Sequence, residues 1–507
     1  MPTAADRTLL IGFDGATWDL LDPALKAGAL PHLSRFLAGA TRGRLRSVEP
    51  PVTIPAWYSA TTGLSPATLD MWGFTAPAST PGKFRLVTTY RPHDALWDRL
   101  GRRGWRVGVV NFPALPAPPV HGYFISGMLD PRGQTTTYPP SLLDRLRREL
   151  GGWDHDLPEF GPGEREKALE RAALSMDRKA RAVEMLQGEH HPDLLFVLFS
   201  ETDRVQHNHW DALAAFPRTK DPAVRRYWGA LDSAFHRVRA AFDADAGGLS
   251  GTTWLLSDHG FGPAQGYFFT NRFLERRGYL VTRGRASATA RLRPWITDVM
   301  ARTDEALPLR APLGLADHLR HRMAPRSQER DGDALDQTFG WFSQFVDWKR
   351  TRAFSFPVPE AIYANTFDGP VPEKERQRLK KEISRELTSL GPAQVRVVDP
   401  EVLYGKPVAP TAPLLLLESR EGAWETRGDT NHRVDYLARR PSYFQRQGTH
   451  RPQGILAVAG PRISSGSLGA PVAMLSVLPT LLRALGFEED GPFDGRFDPA
   501  LLRALGS

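Results

Sequence analysis

Four apolar runs in this chain end in polar residues, and that recurrence limits the fold more than any other feature. TLLIGF, Thr8 to Phe13, runs into Asp14-Gly15, and WRVGVV, Trp105 to Val110, runs into Asn111. DLLFVLF, Asp193 to Phe199, opens into Ser200-Glu201-Thr202-Asp203, and Thr252 to Leu256 ends in Ser257-Asp258-His259-Gly260. Short continuous apolar runs bounded by turn residues read as strands buried on both faces, the habit of parallel sheets. Between them lie segments with helical spacing: Thr17 to Leu37 with a break at Pro31-His32, Arg91 to Arg103, Pro139 to Leu150, Glu164 to Leu186 and Pro222 to Phe242. The alternation predicts an α/β fold, a doubly wound, mostly parallel sheet sandwiched by helices. The carboxyl ends of such strands share one edge, where ligands bind. One Asp after a strand is an ordinary turn residue, but repeated polar endings along one edge read as a site.

A chain of 507 residues exceeds one simple core. A second strand is expected at Leu45 to Val48, and the apolar pattern changes after Leu280. There follow a basic, partly helical stretch (Ala288 to Arg320), a polar linker from Pro325, a β-like part around Ala353 to Asn365, a charged helix (Pro372 to Leu390) and a strand at Gln394 to Val398. The core pattern resumes with GILAVAG, Gly454 to Gly460, and a helix at Met474 to Leu485. The expected organisation is a core at 1–279, an inserted α+β cap at 280–445 that covers part of the site, and the rest of the core at 446–507.

The chain has no cysteine, which excludes disulfides, thiolate metal sites and Cys nucleophiles; any metal must sit on Asp, Glu, His or hydroxyl oxygen. The net charge of +8 is compatible with an anionic substrate or surface without identifying one. No nucleic-acid-binding motif is present. Neither a signal-peptide pattern nor a run of about 18 apolar residues occurs, so no transmembrane segment and a cytoplasmic location are the expectations. The oligomeric state is not legible.

The donors for chemistry are spread along the chain. In EPPVTIPAWYSATTG, Glu49 to Gly63, two prolines fix the backbone on either side of Thr53, and the small residues after it form a helix whose first amides attract anions. Thr53 reads either as an N-cap or as a nucleophile activated by a metal or base. Asp203 and His207, four apart, share one helix face, as cation ligands or as a surface pair. Asp258-His259 follows its strand directly, with Gly260 allowing a sharp exit, and His450 sits in a Gly-Thr-His stretch that also reads as a plain turn. Asp14, Thr53, Asp203, His207, Asp258, His259 and His450 together would suffice for two divalent cations without sulfur. Such a pair can activate one oxygen and stabilise the leaving one during displacement at phosphorus. Neither a P-loop nor a GxSxG elbow is present.

These residues lie in segments that resemble the type I phosphodiesterase/nucleotide pyrophosphatase branch of the alkaline phosphatase superfamily, and more closely its bacterial and archaeal phosphohydrolases or phosphomutases. The segments are IGFDGATWDLL, PPVTIPAWYSATTGLSP, NFPALPAPPVHGYFISG, ETDRVQH, LSDHGFGP, VDWKRTRAFSF and GTHRPQGILAVAGP, in family order. The resemblance implies an alkaline-phosphatase-like core and hydrolysis of a phosphate ester through a phospho-threonine at Thr53. It implies one ion on Asp14, Thr53, Asp258 and His259 and a second on Asp203, His207 and His450, usually Zn2+, with Mn2+ or Mg2+ in some branches. The implied substrate is an anionic phosphate diester or pyrophosphate. Monoester hydrolysis, a phosphomutase, a lipid or polymer phosphate, a sulfate ester, or a binding protein are the alternatives. The chain departs from the family after TTGLSP: Leu69, Asp70 and Phe74 stand where the family has His, Gly and the phosphate-binding Asn. Arg85, Asn111, Lys349 and Arg350 are the candidates to replace that contact, with Trp57 and Trp72 at the pocket mouth.

Overall fold

The computed structural model describes residues 7–77, 84–87, 93–130, 133–158, 160, 164–244, 251–283, 346–356, 361–366, 368–390, 395–419, 424–428, 436–439, 446–487 and 491–506. The helical stretch and polar linker expected between 288 and 336 lie outside them.

Seven strands carry the central sheet: β1 (Thr8–Phe13), β2 (Thr41–Arg46), β3 (Val107–Phe112), β4 (Gly122–Ser126), β5 (Leu194–Phe199), β6 (Thr252–Leu256) and, late in the chain, Gln453–Ala459. The spatial order is β2, Gln453–Ala459, β6, β1, β5, β3, β4, and the short strands Gly466–Ser467, Val472–Ala473 and Thr137–Tyr138 extend the edges to ten. From β6 to β4 every neighbour is parallel. Side chains alternate in β1: Leu9, Ile11 and Phe13 enter one apolar layer and Leu10 the other. Each face is covered by helices, which is why these strands read as unbroken apolar runs. On one face pack Arg165–His190, Glu201–Thr219 and Pro222–Ala244; on the other, Thr53–Thr62, Leu96–Arg102 and Val477–Ala484. Fully burying a residue such as Phe13 or Phe196 contributes roughly 1.5–3 kcal/mol, so the strands are fixed firmly beneath the site.

Gln453–Ala459 runs antiparallel to both β2 and β6. The cause lies in the path of the chain. After β6 it leaves through β7 (Gly260–Pro263), which pairs antiparallel with the returning β8 (Gly448–Arg451). The strand that follows, β9 (Gln453–Ala459), then re-enters beside β6 in the opposite direction, as an out-and-back path requires. The expected strand at Leu45 to Val48 starts earlier, at Thr41; its Arg42, Arg44 and Arg46 hide the strand pattern because they point away from the side that buries Leu45.

The excursion between β7 and β8 has its own apolar cluster, including Phe268, Leu280, Trp348, Phe354, Ile383 and Leu416. A sheet of Ala353–Phe354, Ala361–Ala364, Leu415–Ser419 and Val395–Val398 is packed by the helix Glu373–Ser389 through Leu379, Ile383 and Leu387. Strand pairing of this part already begins at Gly266–Phe269, which joins Trp424–Arg427 and Leu437–Arg439 ahead of residue 280.

Candidate metal centre

Asp14 follows β1, Asp258 and His259 follow β6, and Asp203 lies in the first turn of the helix after β5, so the parallel strands bring their polar endings to one edge. That helix, Glu201–Thr219, runs well past the expected end at His207, with non-helical angles at His209 (φ −132°, ψ 23°). There the Gln447 N–H bonds the His207 carbonyl at 2.6 Å, pairing an oxygen that the kink releases.

Two groups form at the edge: Asp14, Asp258 and His259, and Asp203, His207 and His450, with the donor atoms of each within 4.8 Å of one another. In the first, each residue has one polar atom tied to the protein. Asp14 Oδ2 accepts from Trp57 Nε1 at 3.1 Å, Asp258 Oδ1 accepts from the Gly15 amide at 3.0 Å, and His259 Nδ1 donates to the Gly260 carbonyl at 3.0 Å. The other atoms, Asp14 Oδ1, Asp258 Oδ2 and His259 Nε2, are buried without hydrogen-bond partners. They face one another, His259 Nε2 lying 3.2 Å from Asp258 Oδ2 and 3.7 Å from Asp14 Oδ1.

In the second group His207 Nδ1 donates to the Gly448 carbonyl at 3.2 Å and His450 Nδ1 to the Pro51 carbonyl at 2.9 Å. A carbonyl can only accept, so in its neutral form each ring turns an unprotonated Nε2 inward. These two atoms meet at 3.1 Å, and Asp203 Oδ1 lies 3.2 Å from His450 Nε2 and 3.5 Å from His207 Nε2. In that form three acceptors face one another and repel; a cation at their centre removes the repulsion. The His259 and His450 rings stack at 3.8 Å, which makes the groups neighbours. The donors are oxygen and imidazole nitrogen, a set suited to borderline divalent ions, and the Nδ1 to carbonyl bonds are the usual outer partners of metal-binding histidines.

Electrostatics agree with the geometry. Burial pushes the Asp14 carboxyl well up, helped by the charges of Asp258 and Asp203. Burial raises Asp258 as well, against the opposing Gly15 amide. Burial takes His259 down to about 3, with His450 adding to it, and takes His207 well down, with Arg446 adding to it. Burial pushes Asp203 up, but His207 and His450 outweigh it and hold the carboxyl below the usual range. Burial thus favours the neutral form of His207 and His259, the form that binds metals.

Thr53 is the first residue of the helix α1 (Thr53–Thr62), and the N-cap is Val52, which has no capping side chain. The reading of Thr53 as an N-cap is therefore corrected by one position. All ten residues of α1 are buried, and Gly63 in the left-handed region (φ 71°) ends it. Pro51, two residues before Thr53, touches His450 through its carbonyl, and Trp57, one turn after Thr53, touches Asp14.

Several contacts hold the two groups together that their residue types did not reveal. Thr202 Oγ1 donates to the Asp14 carbonyl at 2.6 Å, and Gln206 Nε2 donates to the Gly15 carbonyl at 3.0 Å. Their spacing of four is visible in the sequence, but not its target. Gly260 is not a turn glycine: it opens β7, and a Cβ there would lie 1.9 Å from the Gln453 carbonyl. His450 lies in β8, opposite Phe261, rather than in a turn.

Trp57 is fully buried behind Asp14, away from any pocket mouth. Trp72 is buried in the cap cluster, donating to Asp70 Oδ1 at 3.2 Å and meeting the Tyr404 ring edge-on at 6.0 Å. Asn111 lies within β3 at φ 69°, its Nδ2 on the Leu198 carbonyl at 2.9 Å and Ser200 Oγ at 3.2 Å. Arg85 lies on the hairpin strand Phe84–Leu86, where its charge reaches Asp70, and Lys349 and Arg350 are exposed on a turn. Leu69 is buried, Asp70 closes a short helix at φ 49°, and Phe74 packs on the core.

The family model described as type I phosphodiesterase / nucleotide pyrophosphatase matches residues 8–333. Among solved structures the chain is similar to murine ectonucleotide pyrophosphatase/phosphodiesterase 5, inactive through a threonine-to-alanine change and in complex with AMP. The identity is 13%, the coverage 98% of this chain and 99% of that one, and the TM-score 0.52. It is also similar to phosphonoacetate hydrolase from Sinorhizobium meliloti 1021 in complex with phosphonoformate, at 14% identity, 94% coverage of each chain and a TM-score of 0.52. At these identities the likeness is one of fold. No curated protein matches.

Proposed function

The chain belongs to the type I phosphodiesterase / nucleotide pyrophosphatase family and is a phosphoric ester hydrolase, and from that premise we propose that it works through two divalent cations and a covalent phospho-threonine at Thr53. The observation that carries the reading is the pair of inward-facing donor groups, Asp14, Asp258 and His259 beside Asp203, His207 and His450. Zinc is the metal best matched to these donors, with manganese or magnesium next.

When bound, such ions neutralise the transferring phosphoryl group and lower the proton affinity of an attacking hydroxyl. The protein's own part is to hold geometry. Thr53 Oγ forms the bond to phosphorus as the bond to the ester's leaving oxygen breaks. Water then breaks the bond between phosphorus and Thr53 Oγ, releasing phosphate or a phosphate monoester and restoring the hydroxyl. The unpaired amides at the start of α1 favour the anionic substrate on that side. A diester or pyrophosphate is the preferred substrate; the likeness to a structure with bound AMP and to a phosphonate hydrolase supports an anionic phosphorus group.

The test is metal analysis of the purified protein with parallel hydrolysis of a model phosphate diester and monoester. Two equivalents of metal and faster diester turnover are expected. Full activity in protein stripped of metal overturns the reading, and faster monoester turnover replaces its substrate class.

A further inference from the structure

We propose that Trp57 is a positioning residue of this centre: its indole N–H reserves one oxygen of Asp14, leaves the other for a cation, and ties that division to the helix that carries Thr53. The inference rests on the reading of Asp14, Asp258 and His259 as ligands.

A carboxylate free at both oxygens can turn about its Cβ–Cγ bond and meet a cation through either or both of them. In this site the two oxygens are unlike. Asp14 Oδ2 accepts from Trp57 Nε1 at 3.1 Å, while Oδ1 has no hydrogen-bond partner and faces His259 Nε2 at 3.7 Å. An indole N–H only donates. It therefore demands an acceptor on Asp14 and cannot reverse the bond when the carboxylate turns.

The ring has little room to move. Gly12, two residues before Asp14 on β1, lies under it: a Cβ there would fall 2.6 Å from Trp57 Cη2. Phe196 on the next strand meets it edge-on at 5.6 Å and 87°. The strand that carries Asp14 thus also makes the space for the ring that holds Asp14. Trp57 follows Thr53 by four residues, a little over one turn of α1. Sliding or rotating α1 would move the hydroxyl and break the hold on Asp14 together. A tryptophan that only filled the core would need neither the bond to Asp14 nor the missing Cβ at Gly12 to aim it there.

The test uses Trp57→Phe, which removes the N–H, and replacement of Trp57 by 3-benzothienylalanine, which keeps the bicyclic shape and puts sulfur in place of the N–H. Zn2+ affinity for each equivalent is read by competition with a chromogenic chelator, and the visible spectrum of the Co2+-loaded protein reports the coordination. In both variants one equivalent is expected to weaken about 10–100-fold, the usual effect of losing an outer partner of a ligand. The Co2+ spectrum changes, and kcat for a model diester falls while KM holds. With metal removed from both, the benzothienyl variant keeps the wild-type melting temperature, which separates the effect from lost packing. Two equivalents bound as in wild type, with an unchanged Co2+ spectrum in the benzothienyl variant, overturns the role of Trp57 alone. Wild-type protein that takes up no pair of ions removes the ligand reading and this inference together.

Discussion

The Tyr404 hydroxyl holds both backbone polar groups of Glu49, accepting its N–H at 3.0 Å and donating to its carbonyl at 2.7 Å. Tyr404 belongs to the inserted part of the chain and Glu49 to the segment that leads to Thr53, so the cap grips the approach to the proposed nucleophile. Tyr404→Phe removes both bonds and keeps the ring against Trp72. It is expected to lower stability by about 1–3 kcal/mol in denaturant melts and to reduce kcat several-fold.

The Glu49 side chain gives a pH prediction. Burial, with the charge of Glu418, pushes its carboxyl up to about 8 from 4.5. A folded value above the unfolded one means stability that is fully present below about pH 4.5 and lost as the pH rises toward 8. Glu49→Gln has no such loss. In urea melts of metal-saturated protein, the variant should gain on wild type between pH 5 and pH 8, by up to about 1.4 kcal/mol per pH unit. A constant difference across that range refutes the assignment.

Thr53→Ala should lower turnover of a model diester by on the order of a thousandfold or more, as removal of a nucleophile does, while leaving the metal content at the wild-type level. Acid-quenched wild type should carry phosphate on Thr53 by mass spectrometry, and the variant should carry none.

Removing metal leaves the acceptors of Asp203, His207 and His450 to repel at 3.1–3.5 Å. Chelation should therefore lower the melting temperature and Zn2+ should restore it, with about 2.7 kcal/mol of stabilisation at a hundredfold excess over Kd. His450→Ala should keep one tight equivalent and lose the other.

Gly260→Ala places a methyl against the backbone of Gln453, 1.9 Å from its carbonyl, where no side chain can yield. A loss of about 1–3 kcal/mol is expected. Metal retention should drop as well, because His259 and Asp258 stand immediately before the displaced residue.

The apolar runs and their polar endings made the sheet legible, because strands buried on both faces carry their burial in every residue. β2 was less so, since alternate arginines face solvent near the sheet edge. The antiparallel entry of β9 depends on a detour whose two ends are far apart in sequence. The six carboxylate and imidazole residues were legible as donor types, but the pairing of His450 with His207 is set by the β7–β8 ladder. Trp57 was readable as an apolar helix residue; its bond to Asp14 depends on a glycine on another element. Gly260 shows the same limit, as close approach of a distant backbone leaves no local mark.

The out-and-back path through β7 and β8 also orders events during synthesis. Asp14, Asp258 and His259 are all translated before the excursion, so the first half of the centre can assemble early. His450 is encoded on the way back. A nascent chain must therefore translate the whole detour before its second half-site has a third donor, and the centre is completed last.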